Sequence, residues 1–214
     1  MLLYANGDSH SLGAIKGGGK VKPFAEYVAE KYKLEIYNDA ELASSSYRII
    51  RTTKEYFRKN SNDAFVLIGW GTWDREEWSY NDTYYNVMVG WYKHLPKPLR
   101  LKYDTWEKQQ DYHSLVEKSK IVHNDIYNFH TWLKERNIAH LFFNCMYSFQ
   151  GIQSKQEQNW DNHYLSPYDA QSSYVVHLQN KNYEHDQWYH FPQEAHAEWA
   201  NVLIKHIEEN DIIH

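Results

Sequence analysis

Two stretches constrain the fold of this chain more than any others. Asp63 to Gly69 (DAFVLIG) and Ile138 to Cys145 (IAHLFFNC) are short, nearly continuous apolar runs closed off by polar residues. A strand with one wet face alternates apolar and polar residues, whereas a strand covered on both faces has no need to. Both runs are too short for an ordinary helix, so they predict central strands of a parallel sheet. Leu2 to Ala5 and Leu34 to Tyr37 predict two further short strands. Helical spacing lies between and after them. It is carried by Phe24, Tyr27, Val28 and Tyr32 behind Pro23, and by Tyr47, Ile50 and Tyr56-Phe57 in a helix running to about Lys59. It recurs in Leu115, Val122, Ile126, Phe129 and Leu133 within Asp104 to Arg136, and in Ala195, Trp199, Leu203 and Ile207 behind Pro192. Proline is well placed at a helix start because the amide it lacks has no partner there. Strands alternating with helices predict a three-layer α/β/α fold around a central parallel sheet, flavodoxin-like in arrangement.

The 214 residues fit one domain, 1–214, with no repeat or linker. Three segments fall outside the regular pattern. Ser11 to Lys22 holds four of the nine glycines, including Gly17-Gly18-Gly19, and reads as a flexible loop or flap. Residues at about 70–102 form an aromatic excursion, with a helix expected around Tyr84 to Tyr92. Residues at about 146–184 are polar, show little periodicity and read as one long loop.

Composition narrows the function. The net charge is −5 and no long basic run exists, which argues against a nucleic-acid partner. No stretch approaches 18 apolar residues, so no membrane span is expected. MLLYANGDS lacks the basic start and apolar core of a signal peptide, so a cytoplasmic protein is expected. Cys145 is the single cysteine, which rules out an intrachain disulfide and a thiolate-built metal site. His163, His177 and His185, with Asp161 and Asp169, offer metal-ligand types without metal-ligand spacing, so neither metal nor cofactor is expected. The 9 Trp, 19 Tyr and 8 Phe either fill the core or wall a cleft for a sugar or other flat substrate.

In open parallel sheets, ligands bind beyond the carboxyl ends of the strands. That rule gathers Asn6 to Ser9, Asp39 to Ser46, Gly69 to Arg75 and Asn144 to Ser148 along one edge. Ser9 sits in Gly7-Asp8-Ser9, directly after the first strand. A serine hydroxyl becomes a nucleophile only with a base in reach. Near the other end, Asp186-Gln187-Trp188-Tyr189-His190-Phe191-Pro192 offers an imidazole, a carboxylate to hold its tautomer, and a proline to open the last helix. Each motif alone is also what a turn serine or a helix cap looks like. His10, adjacent to Ser9, points away from it in a turn and is expected in a supporting role.

Together the two ends resemble the SGNH (GDSL-type) hydrolase family. G-D-S follows the first strand, an Asp–His pair precedes the final helix, and HFPQEAH (His190 to His196) is similar to the family's H-P-x-x-x-G-H tail. The resemblance runs along almost the whole chain and implies Ser9 as nucleophile, His190 as general base and Asp186 as the acid. It also implies an oxyanion hole formed by the Ser9 N–H, an N–H from Ala43-Ser44-Ser45-Ser46 (Ser44 or Ser45), and a third-block donor. Where the family reads G-x-N-D, this chain reads Gly69-Trp70-Gly71-Thr72-Trp73-Asp74-Arg75. The Asn is missing, and Gly71, Thr72 and Arg75 are the replacements on offer; Trp70, Trp73 and Trp78, which follow the third strand, either stack on a substrate ring or pack the excursion onto the core. Gly-Trp-Gly-Thr-Trp-Asp-Arg-Glu-Glu-Trp is similar to a phage branch of such hydrolases. The resemblance implies an esterase releasing a small acyl group, such as acetyl, from a small-molecule or carbohydrate ester. The competing expectation is a binding or scaffold protein that keeps the fold without turnover.

Overall fold

The computed structural model describes residues 1–15 and 19–213. Lys16, Gly17, Gly18 and His214 lie outside the described residues, so the flap expected at Gly17-Gly18-Gly19 falls largely outside them too. Five parallel strands form the central sheet: β1 (Leu2–Gly7), β2 (Glu35–Asn38), β3 (Ala64–Trp70), β6 (Ala139–Asn144) and β7 (Tyr164–Leu165). Their order across the sheet is β2-β1-β3-β6-β7. The helices are α1 (Ser9–Leu12), α2 (Phe24–Tyr32), α3 (Ser46–Phe57), α4 (Lys97–Glu107), α5 (Tyr112–Lys134), α6 (Tyr174–Asn180) and α7 (Gln193–Glu209).

The unalternating strands do have two dry faces. Leu3, Phe65, Leu67, Leu141 and Phe143 pack against α2, α6 and α7 through Phe24, Val28, Tyr174, Trp199 and Leu203. Their neighbours in sequence, Tyr4, Val66, Ile68 and Phe142, point the other way. They pack against α3 and α5 through Ile49, Phe57, Val122, Ile126 and Phe129. The period of two along each strand therefore divides one apolar run between two cores.

Three local expectations change. The loop expected from Ser11 begins instead inside α1, a short turn that Asp8 caps by accepting from the His10 N–H and Gly13 closes in the left-handed region at φ 73°. The helix expected at Tyr84 to Tyr92 is an antiparallel hairpin of β4 (Glu76–Tyr80) and β5 (Thr83–Val87), turning at Asn81-Asp82. Tyr84-Tyr85 and Val87 suit a pleated, half-buried surface better than a helix, and Asn-Asp tolerates the positive φ of the turn. With α4 the hairpin builds a small core of its own from Trp78, Val87, Leu95, Leu99, Tyr103 and Trp106. The long loop expected at 146–184 is irregular only in part: it contributes β7, two 3-10 turns and α6, whose start Ser173 caps by accepting from the Val176 N–H.

At the carboxyl edge, Gly7 of β1 lies beside Gly69 of β3. A Cβ at Gly69 would come within 2.7 Å of Cys145 Sγ, 2.8 Å of Phe143 Cζ and 2.8 Å of Ser11 Oγ. Gly69→Ala is therefore expected to destabilise the protein by about 1–3 kcal/mol through overpacking, read as a lower urea midpoint at unchanged m-value.

Candidate active site

The carboxyl edge of the sheet opens into a cavity of about 470 Å³. Ser9 and His190 both line it, though almost the whole chain separates them in sequence. β1 delivers Ser9 to the first position of α1, where the serine is 8% exposed and its hydroxyl makes no hydrogen bond to any described residue. The first amides of a helix have no partner within the helix, so the Ser9 N–H is free to serve a ligand.

His190 stands on the turn before α7. Its Nδ1 lies 3.0 Å from Asp186 Oδ2, and its backbone N–H donates to Asp186 Oδ1 at 3.0 Å. The Trp188 N–H donates to the same oxygen at 2.8 Å. Burial pushes the Asp186 carboxyl up, but the His190 and Trp188 amides and the imidazole outweigh it and hold it below the ordinary carboxylate range. A carboxylate accepting from Nδ1–H leaves Nε2 as the bare, basic nitrogen. Tyr189, held at φ 60°, makes the tight turn that folds Asp186 back onto His190.

Beneath Ser9 lies a buried ion pair. Arg75 donates through Nη1 to Asp8 Oδ2 at 2.6 Å and to the Ser44 carbonyl at 3.4 Å. Asp8 is fully buried, and its other oxygen accepts from the His10 N–H at 3.0 Å and pairs with His10 Nδ1 at 2.9 Å. Burial alone would raise the Asp8 pKa. The His10 ring and the Arg75 guanidinium reverse that and drive it well below the usual range. Gly71 makes the pair possible, because a Cβ there would sit 2.7 Å from Arg75 Nη1 and 2.8 Å from Asp8 Oδ2. Arg75 Nε is buried without a partner, while the residue itself borders the cavity.

The expected site residues divide accordingly. Ser9, Thr72, Arg75 and His190 border one cavity, with Asp186 behind His190. Gly71 supports the ion pair rather than the cavity wall. The Ser44 N–H is taken, donating to the Glu41 carbonyl at 3.3 Å, the Ser45 hydroxyl caps α3 by accepting from the Arg48 N–H, and neither residue borders the cavity. The residue of that loop bordering the cavity is Ala43, held at φ 58°. That is a conformation glycine adopts freely, and a backbone requirement of this kind at Ala43 leaves no trace in the residue type. Trp70 and Trp73 are not stacking platforms. Trp70 is fully buried against Phe129 and Phe142, and Trp73 is 1% exposed and stacked on Phe149. The rings at the cavity are Trp91, Trp188 and Tyr189, joined by Leu42, Met88, Val89 and Met146. Met88, Val89 and Trp91 come from the excursion just past β5, a contribution invisible in the sequence because it depends on where the hairpin folds back.

Among the described residues, the one convergence of metal-ligand types is Asp8, His10 and Cys145, whose ligand atoms lie within 4.8 Å of one another. The Arg75 cation already occupies one Asp8 oxygen, and burial with the adjacent Asp8 pushes the Cys145 thiol pKa well up, opposing the thiolate a metal would need. The set reads as a packed polar network. His163, His177 and His185 do not converge on a common point.

No protein-family model matches the chain, and no curated protein sequence does. Solved structures do. The chain is similar to a psychrotrophic esterase, EstA, from Pseudoalteromonas sp., in a structure inhibited by monoethylphosphonate; identity is 10%, the TM-score 0.53, and 97% of each chain is covered. It is also similar to the lipase Lip_vut3 from a goat rumen metagenome, with 16% identity, a TM-score of 0.55, and 96% of this chain and 97% of that one covered. The chain shares its three-layer α/β fold, helices on both faces of a central parallel sheet, with these two structures.

Proposed function

We propose that the protein is a serine esterase working through an acyl-enzyme. The observation that carries this reading is the His190–Asp186 pair, at 3.0 Å, on the rim of the cavity that Ser9 also borders. His190 Nε2 takes the Ser9 proton as Oγ attacks the ester carbonyl. The tetrahedral oxyanion is held by the backbone N–H groups of Ser9 and Ala43, with Thr72 and the Arg75 guanidinium in place of the missing Asn. Collapse expels the alcohol, which takes the proton from His190, and water then repeats the sequence on the acyl-enzyme to release the acid. Asp186 holds the imidazole tautomer throughout.

A small acyl group such as acetyl on a carbohydrate is one reading of the substrate. The cavity favours a different emphasis. Its wall is mostly aliphatic, thioether and aromatic, with Ser9, Thr72, Asp74, Arg75, Gln187 and His190 as its polar members. A sugar would need many hydroxyl partners, whereas an apolar chain needs none. Each buried methylene contributes ~0.8 kcal/mol, about fourfold in binding.

Three outcomes are expected. A fluorophosphonate probe should label the protein covalently at Ser9, and Ser9→Ala should abolish the label; a folded protein that stays unlabelled near neutral pH would favour the non-catalytic binding protein. On p-nitrophenyl esters, kcat/KM should rise about threefold to fourfold per methylene from acetate to hexanoate and fall away as pH is lowered through the titration of one imidazole. Arg75→Met should destabilise the fold by about 3–5 kcal/mol, by stranding a buried carboxylate. Adding Asp8→Asn should recover most of that stability while kcat stays about 10²–10³-fold down. Recovery of both together would make Arg75 a purely structural residue.

A further inference from the structure

Away from the cavity, a second set of histidines fastens one segment to the body. Residues 149–168 have little secondary structure of their own, and histidines from three elements hold them. His123 of α5 meets Tyr168 Oη at 2.9 Å, and His206 of α7 donates through Nε2 to the Asn162 carbonyl at 2.8 Å. His163, within the segment, donates through Nδ1 to the His140 carbonyl of β6 at 2.8 Å. Behind that contact, His130 Nδ1 and His140 Nε2 are 2.8 Å apart, both residues buried.

Two of these rings have no freedom in where they carry their proton. Tyr168 Oη already accepts the Gln158 N–H at 2.8 Å and the Trp160 Nε1–H at 3.1 Å. Its own proton is therefore aimed at His123 Nε2, which must be bare. His140 Nδ1 faces the Ile138 carbonyl at 2.9 Å and must donate to it. Its Nε2 is consequently bare and accepts from His130 Nδ1–H. A second proton on His123 sets donor against donor at the buried Tyr168 contact, and one on His140 does so at His130 as long as His130 carries its proton on Nδ1.

We propose that residues 149–168, with the edge strand β7 that they contain, are an acid-releasable strap, opened when His123 and His140 take up protons while the four strands β2-β1-β3-β6 and the helices stay folded. The surroundings oppose protonation in the native state. His123 is faced by the rings of Phe149, Trp160 and Tyr168 and by Asn124, and burial lowers its pKa. His140 is faced by His130, His163 and Lys134, and burial followed by the His163 charge lowers its pKa strongly. Burial, with His163 and Lys134 outweighing Asp161, brings His130 to about 4. His163, faced by Lys134, Asp161 and His206, is lowered too, chiefly by burial. A base whose native pKa is depressed stabilises the fold above its unfolded pKa. That contribution drains away as pH falls from ~6.5 toward the native value, because the released state binds more protons. The strap also meets the active edge. Phe149 stacks on Trp73 at 4.9 Å, and Trp73 donates to the Ser148 carbonyl at 3.3 Å, beside Thr72 and Arg75. Control of turnover through this contact rests on the esterase reading above; release of the strap does not.

The test is amide hydrogen exchange on the full chain at pH 7 and pH 4.5, corrected for intrinsic rates. Protection in 149–168 should fall at least about tenfold, the effect of one such group over one pH unit, and return on neutralisation, while β1 and β3 keep theirs. His123→Gln supplies an acceptor that never protonates. It should keep strap protection at pH 7 and reduce the acid-induced fall by at least about threefold, roughly its share when two groups contribute. Nitrogen NMR at pH 7 should find Nε2 bare in both His123 and His140. A strap unchanged by acid, loss of protection in all segments together, or Nε2–H on either ring would overturn the proposal. Because exchange is read without substrate, failure of the strap and failure of the esterase reading are separate results.

Discussion

The carboxyl edge of the sheet depends on one buried contact, the ion pair between Asp8 and Arg75. A carboxylate with no exposure is tolerated only when paired and hydrogen-bonded, and Asp8 spends both oxygens, one on Arg75 and one on His10. The pair joins the loop after β1 to the loop after β3, and the weaker bond from Arg75 to the Ser44 carbonyl adds the loop after β2. Three crossover connections that would otherwise end independently are thereby held in one arrangement beside Ser9. The geometry needs glycine at 71 for the guanidinium to pass. It places a permanent cation at the border of the cavity. A cation draws developing negative charge more strongly than an amide, but it is already committed to Asp8, so its field at the cavity is partly cancelled.

The aromatic content also finds its explanation in packing. Most rings form two layers, one on each face of the sheet, and a third set builds the small core under the hairpin. That third core lets the excursion stand as a rigid wall, so Met88, Val89 and Trp91 reach the cavity from a supported element.

The sheet was legible in the sequence because both faces of β3 and β6 are dry, which leaves an unbroken apolar run no loop would carry. Ser9 and the Asp186–His190 turn were legible because short motifs beside a strand end and a helix start have few places to go. What could not be read depended on tertiary packing. Trp70 and Trp73 stand beside the active edge in sequence but turn into the core, since strand alternation and the stack on Phe149 decide their direction. The 84–92 segment offered helix-compatible residues, and only the Asn81-Asp82 turn and the pairing across it select a hairpin. Arg75 was expected at this edge from its place after the third strand, but its partner Asp8 became visible only once the β1 and β3 loops were side by side.

A crystal structure of the protein inactivated with an ethyl phosphonate tests the central claim most directly. The account predicts phosphorus bonded to Ser9 Oγ, with one phosphonyl oxygen within hydrogen-bond distance of the Ser9 and Ala43 amides and the Arg75 guanidinium, and His190 Nε2 within reach of Ser9 Oγ. An adduct on another residue, or a phosphonyl oxygen turned away from Arg75 with the Asp8 pair undisturbed, would contradict it.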